Sequence, residues 1–482
     1  MHAHKRPGFG GRLVSTLLGV GLWSCSSGGF TPDPGKTDGG LDGGGGEALV
    51  FDSVSPARGP SSGGIKVAIH GRRFDPGMRV SFAGVDSSLV SLTGEEEITA
   101  TLPPSGGKVG LVEVMLTRPD GKVAARSDLF SYYPGQLSFG SPRSFAVDNK
   151  PTKLVLGDLN GDSKLDLIVA SHSSGSLSLL NGKGDGNFDT YKRVSVGGTP
   201  TAMLTSEVTG DQFLDVIVAG DNSGASLLLY PGKGDGTVGT VRSLATASAA
   251  SLAGGDYNAD GKYDIAVPYF AFAANGIGFL FGKGDGTFTN GGSQGLRSGS
   301  FGISSADFNG DGKADLAVTM YDDSTVAILP SQGGRFGSPS YLSAGAGPHG
   351  VIAADVNGDS KADIVVTDPD GGALRVFLGK GDSTFQPPTV IQTGGTTPQP
   401  VVAVDLNLDG WLDLVTVNVG STGTVTILLG KGQGQFAAPQ QLSVPGTHND
   451  VVAADINGDR LPDLLLPVSN SASVSVLLNT SR

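Results

Sequence analysis

Residues 307–315 read D-F-N-G-D-G-K-A-D, with carboxylates at Asp307, Asp311 and Asp315 and an amide at Asn309. Carboxylates held about 4 Å apart repel by about 4 kcal/mol per pair at an effective dielectric of ~20, so a bare loop of this composition resists closing. A bound cation reverses that sign. Calcium takes roughly six to eight oxygens, and alternate side chains of a tight loop can supply them.

The stretch recurs. It is DLNGDSKLD from Asp158, EVTGDQFLD from Glu207, DYNADGKYD from Asp256, DVNGDSKAD from Asp355, DLNLDGWLD from Asp405 and DINGDRLPD from Asp455. Successive starts lie 49, 49, 51, 48, 50 and 50 residues apart, which marks an internal repeat. Asp or Asn holds positions 1, 3, 5 and 9 in every copy except the second, where Glu207 and Thr209 intervene. Position 7 varies freely (Lys164, Phe213, Lys262, Lys313, Lys361, Trp411, Leu461), as expected where the main-chain carbonyl coordinates and the side chain points away. Position 6 is Gly in three copies, suiting a tight turn.

The expected ligand sets therefore number six. They are Asp158, Asn160, Asp162, Lys164 and Asp166; Asp256, Asn258, Asp260, Lys262 and Asp264; and Asp307, Asn309, Asp311, Lys313 and Asp315. The others are Asp355, Asn357, Asp359, Lys361 and Asp363; Asp405, Asn407, Asp409, Trp411 and Asp413; and Asp455, Asn457, Asp459, Leu461 and Asp463. The loop at Glu207 is the expected failure. Asp and Asn also build plain hairpin turns, but turn chemistry accounts for one or two such residues and not for oxygens repeated at four positions. An EF-hand is excluded because position 12 is apolar, as at Val169 and Val318.

The flanks set the fold class. An apolar run precedes each loop and another follows it (DLIVA, DLAVT, DIVVT, DLLLP). A third run then leads to a turn such as GKGDGNF or GKGDGTF, and a fourth begins at the Phe after that turn. The glycines of GKGDG join two strands and open no helix, so they carry no phosphate-binding chemistry. Four strands per ~40–50-residue unit is the signature of a β-propeller blade. The chain ends after a third strand, while Phe139-Gly-Ser-Pro142 repeats Phe336-Gly-Ser-Pro339 and begins a fourth strand with no blade of its own. Pairing these ends closes seven four-stranded blades over residues 137–482 and removes the open sheet edges.

Composition agrees. Gly numbers 78, as in a turn-rich all-β chain, and the net charge of −13 draws on 21 acidic residues in the seven loops. Nucleic acid is a poor partner for such a surface and divalent cations a good one. At the N-terminus, Lys5, Arg6 and Arg12 surround the start of an apolar run from Leu13 to Trp23, too short to span a bilayer as a helix. Leu22-Trp-Ser-Cys25 follows and holds the single cysteine. Residues 1–25 thus resemble a bacterial lipoprotein signal with Cys25 as the lipidated residue. The alternative is an ordinary cleaved signal peptide and a secreted protein. Ser26 after the cysteine suits outer-membrane sorting, and the Gly/Asp-rich 26–47 is a flexible tether.

Residues 48–134 alternate like sandwich strands (VAIHGRRF, VSFAG, EITATLPP, GLVEVML). The opening Ser55-Pro56, Gly59-Pro60 and Gly63-Gly64 resembles the IPT/TIG immunoglobulin-like family, and His70 is expected on a strand facing solvent. From 137 onward the acidic loops and the F-x-x-P strands at Phe139, Phe336, Phe385 and Phe436 resemble the FG-GAP/VCBS family. That resemblance implies calcium-loop propellers, but the family serves adhesion, carbohydrate binding and enzyme scaffolding alike.

The expected function is a non-enzymatic, calcium-binding surface lipoprotein, monomeric, that binds a protein or glycan. Two alternatives stand beside it: a propeller enzyme acting on polysaccharide (lyase or hydrolase), and a purely structural envelope protein. His172, His349 and His448 fall on the face opposite the acidic loops, where they could converge with Asp450 or Asp322. Nucleophile-elbow and zinc-type motifs are lacking in the sequence. Variable loops on a rigid scaffold usually carry binding. The partner site is therefore expected on that opposite face, rimmed by Tyr269, Asp322 and Asp370 and supported by Phe270 and Phe272.

Overall fold

The computed structural model describes residues 49–221, 227–245, 249–269, 276–419 and 423–482. The signal segment with Cys25, the tether 26–47, Phe270 and Phe272 lie outside these residues. The described residues form strands and turns without a helix. They divide into two compact units, one of Pro142–Val404 and Leu412–Leu477, the other of the N-terminal sandwich through Ser141 with Asp405–Trp411 and Leu478–Arg482.

The first unit is a ring of seven four-stranded antiparallel blades. Blade 1 runs Pro151–Gly157, Asp166–Ser171, Ser176–Leu180 and Lys192–Ser195 in sheet order, and blades 2 to 6 repeat this meander. Blade 7 takes Val452–Ala454, Asp463–Val468 and Ser473–Leu477 from the last repeat and Arg143–Ala146 from the segment just before the first. The closing register is Arg143↔Val476, Ser144↔Ser475, Phe145↔Val474 and Ala146↔Ser473. The strand count along the sequence requires this pairing, because either partner alone would leave an exposed edge.

Burial follows strand position. The second strands (DLIVAS, DLAVTM, DIVVTD, DLLLPV) are buried at every residue, whereas the outermost strands (KRVS, TVIQ, QQLS) are mostly exposed. Blades pack face to face through these inner strands. Leu204, Ile217 and Leu229 of blade 2 share a core with Ile265 and Val267 of blade 3. Each fully buried Leu, Ile or Val stabilises by about 1.5–3 kcal/mol, so blade-on-blade packing dominates the energetics.

The sandwich of the second unit pairs a four-stranded sheet (Val50–Ser55, Lys66–Arg72, Glu97–Thr101, Val90–Leu92) with a five-stranded one that includes Gly110–Thr117 and Val123–Tyr133. Its core holds Phe51, Ile69, Phe82, Ile98, Leu116 and Phe130, with Phe130 edge-on to both Phe82 and Tyr132. The buried Tyr132 hydroxyl donates to the Pro103 carbonyl at 2.7 Å. His70 lies on a strand with its side chain 45% exposed, 3.7 Å from Glu97.

Candidate functional site

The seven acidic loops share one backbone conformation. Position 6 is left-handed in all of them, at Ser163, Gln212, Gly261, Gly312, Ser360, Gly410 and Arg460, and so is position 4, at Gly161, Gly210, Ala259, Gly310, Gly358, Leu408 and Gly458. A non-glycine residue in this region costs about 1–2 kcal/mol, so something must hold Leu408 or Arg460 there. In the fourth loop the position-1 carboxylate does so. Asp307 Oδ1 accepts the N–H of Asn309, Gly310 and Asp311, and Oδ2 accepts that of Gly312 at 2.7 Å. Asn309 Oδ1 accepts from Asp311 N, and Asp311 Oδ1 from Lys313 N, each at 2.9 Å. The chain is wound so that its oxygens gather on one side. The second loop keeps only part of this set: Glu207 Oε1 accepts from Gly210 N and Asp211 N.

Position 9 is buried in every loop, at Asp166, Asp215, Asp264, Asp315, Asp363, Asp413 and Asp463. Its two oxygens take backbone donors from two directions. Asp166 Oδ2 accepts from Leu159 N at 2.9 Å within the loop, and Oδ1 accepts from Gly182 N at 2.8 Å in the GKGDG turn of its own blade. Despite those donors, burial pushes Asp363 up to about 7 and Asp264 up to about 6, and the charges at positions 1 and 5 push the same way. That unrelieved crowding fits a cation. The donor set of carboxylate, amide and main-chain oxygen is that of a hard ion such as calcium. Among the described residues, no three His, Cys, Asp or Glu side chains stand together as a group that could hold a metal ion, so the loops would depend on amide and main-chain oxygens as well. Lys164 and Lys313, at position 7, reach back to Asp162 and Asp311 at 3.6 and 3.1 Å, and such exposed pairs contribute little. Leu461 departs from the expectation for position 7: its side chain is buried.

The GKGDG turns have a role that the sequence motif conceals. Besides meeting position 9 of its own blade, each turn donates an N–H to the preceding blade's acidic loop. Gly236 donates to Leu159 O, Gly286 to Val208 O, Gly334 to Tyr257 O and Ser383 to Phe308 O, at 2.7–3.1 Å, and Gly186 of blade 1 donates to Ile456 O of blade 7. Within the second unit, the Asn479 side-chain amide makes the corresponding contact, donating to Leu406 O at 2.8 Å. The first glycine is needed because a Cβ at Gly182 would lie 2.1 Å from Leu165 O.

On the opposite face, Tyr269 ends a blade 3 strand opposite Gly276, while Asp322 and Asp370 are exposed in equivalent turns of blades 4 and 5. Ser298 Oγ donates to Asp322 Oδ2 at 2.8 Å. The three histidines do not converge. His172 is exposed in a turn, and His448 is buried with its ring nitrogens against Pro467 O and Val444 O. His349 packs its ring against Phe301; burial and the Lys153 charge push it down to about 4, and Lys153 itself pairs with Asp450 at 3.8 Å. Lys153 was not legible as a site residue, because nothing local marks it.

Comparison with known proteins agrees with this architecture. Residues 208–267, 307–366, 355–416 and 405–466 match the FG-GAP-like repeat, and residues 49–133 match the IPT/TIG domain. The chain carries FG-GAP-like repeats in its β-propeller and an IPT/TIG domain in its sandwich. That combination is one of a propeller-type surface or binding protein. Among solved structures it is similar to an auxiliary nutrient binding protein from Bacteroides ovatus (12% identity, 90% of this chain and 99% of that one, TM-score 0.39). It is also similar to a functionally unknown protein from Desulfotomaculum acetoxidans (12%, 65% and 98%, TM-score 0.44) and to the Dos1 propeller (12%, 76% and 85%, TM-score 0.44). No curated protein matches the sequence.

Proposed function

We propose that this protein is a calcium-stabilised, non-enzymatic binding protein of the bacterial cell surface, tethered to the outer membrane through lipid on Cys25. It captures a protein or glycan on the face opposite the acidic loops. The observation that carries the calcium reading is the set of oxygens at positions 1, 3 and 5 over a buried position-9 carboxylate, complete in six loops and broken in the second at Glu207 and Thr209. Positions 1, 3, 5 and 9 and the position-7 carbonyl would hold the ion. Its chemistry there is charge neutralisation, which relieves the buried position-9 carboxylates. Because each turn also bonds to a neighbouring loop, every ion would steady two blades.

The test is elemental analysis of the purified protein together with thermal unfolding in calcium and in chelator. About six ions are expected, with micromolar-to-millimolar affinity, and chelation should lower the Tm. A protein that contains no calcium and melts identically in both conditions overturns the proposal.

A further inference from the structure

On the face opposite the acidic loops the innermost strands begin, and four blades bring different chemistry to their shared axis. Lys153 comes from blade 1, Asp450 from the start of blade 7, His349 from the start of blade 5 and Phe301 from blade 4. Lys153 Nζ lies 3.8 Å from Asp450 Oδ1, and Asp450 Oδ2 accepts the Leu154 N–H at 3.3 Å. The Phe301 ring lies against His349, centroids 4.0 Å apart, and Tyr321 continues the row 6.4 Å beyond Phe301. A Cβ on Gly347 would meet both the Tyr321 ring at 3.1 Å and Asp370 Oδ2 at 3.7 Å, so Asp370 stands beside that ring. Tyr321 is 45% exposed, the Lys153 side chain 34% and the Asp450 side chain 16%. Along this strip, the ring row of blades 4 and 5 runs from a solvent-facing aromatic inward to His349, and the recessed ion pair of blades 7 and 1 lies near enough for the Lys153 charge to act on His349.

Its backbone is held in place. Thr319 Oγ1 donates to His349 O at 2.9 Å, Thr367 Oγ1 to Gln399 O at 3.0 Å and Thr416 Oγ1 to Pro400 O at 2.6 Å. Gly302 and Gly350 are required there, since a Cβ on either would lie 2.3 Å from the carbonyl of His349 or Gln399. An ammonium has three donors and a carboxylate about four lone-pair sites, so the Lys153–Asp450 pair at 3.8 Å retains hydrogen-bonding capacity for a third group.

We propose that this strip, from Tyr321 through Phe301 and His349 to Lys153 and Asp450, binds a neutral oligosaccharide. Sugar hydroxyls both donate and accept, so an ammonium beside a carboxylate serves adjacent hydroxyls, and the apolar face of a pyranose stacks on a tyrosine ring. Charge argues against an anionic glycan: Lys153 and Asp450 cancel, and exposed Asp322 and Asp370 repel it.

The inference rests on the binding-protein reading and is independent of the calcium reading. The test screens the full chain, in calcium, against an array of neutral and acidic oligosaccharides and basic peptides, followed by calorimetric titration of the strongest neutral hexasaccharide. Neutral glycans should bind, and Tyr321→Ala should weaken binding at least tenfold at an unchanged Tm, since that side chain is largely exposed. Lys153→Met should weaken it similarly, with Tm recorded to separate loss of contact from loss of fold. The inference is overturned if no neutral glycan binds, or if Tyr321→Ala leaves the affinity unchanged in a folded protein. Tyr321-dependent capture of a basic peptide alone would also overturn it while leaving the binding-protein reading standing.

Discussion

Locking the ring shut tests its closure directly. Ser144 and Ser475 face each other in the antiparallel pairing of Arg143–Ala146 with Ser473–Leu477. Directly opposed residues have Cα atoms about 4.5–5.5 Å apart, within the range a disulfide spans. In a Cys25→Ser background, Ser144→Cys with Ser475→Cys should therefore oxidise spontaneously. The crosslink closes a loop of 475 − 144 = 331 residues. Chain entropy for a loop of that length corresponds to a ceiling of about 6 kcal/mol, with ~2–4 kcal/mol the usual yield. Unfolding about 340 residues at ~2.1 cal/mol/K each gives an entropy near ~0.7 kcal/mol/K, so the Tm should rise by roughly 3–8 °C. The assay is differential scanning calorimetry of oxidised and reduced protein, with thiol titration to establish the bond. Ser144→Cys with Val474→Cys is the control: one residue off register, the second side chain points to the other face of the sheet and no bond should form. If the control pair crosslinks as readily, or the matched pair forms without raising the Tm, the register and the coupling of the chain ends are refuted.

Other outcomes follow from the same geometry. Asp311→Ala should lose one bound calcium by elemental analysis, whereas Asp211→Ala in the degenerate second loop should lose none; equal losses would show that the second loop is functional. Gly379→Ala would set a Cβ 2.2 Å from Ala362 O, and a clash with backbone should destabilise by about 1–3 kcal/mol in denaturant unfolding. The Ser176 hydroxyl, with Arg193, holds Asp148 down to about 2, below its unfolded value of about 3.9, so its stabilisation is present above that value and lost as pH falls through about 2. Asp148→Asn should accordingly cost about 1 kcal/mol at pH 6, reduced by the exposure of Arg193, with the difference from wild type vanishing near pH 2. Cys25→Ser should move the protein from the membrane fraction to the soluble one or leave an unprocessed precursor; an unlipidated, fully soluble wild type refutes the anchor.

The acidic loops, the four strands around each, the blade number and the closing strand were legible along the chain because each depends on spacing that local chemistry dictates. Alternate oxygens need a nine-residue loop, a half-turn of sheet needs a hairpin, and an unpaired third strand needs a fourth. The opening Ser55-Pro56 and Gly59-Pro60 of the sandwich were readable for the same reason. Other features came only from folding. Gly182 can meet Asp166 while Gly186 of the same turn meets Ile456 only when blade 1 closes against blade 7. Asn479 can donate to Leu406, 73 residues earlier, only once folding brings the two together. Lys153, Phe301, His349 and Asp450 are separated by up to 297 positions; the repeat places each on or just before the inner strand that leads into an acidic loop, but their side chains differ and no motif marks them as a set. They meet because a closed ring of blades brings the starts of all its innermost strands to one axis, and the spacing of residues along a single strand carries no information about that meeting.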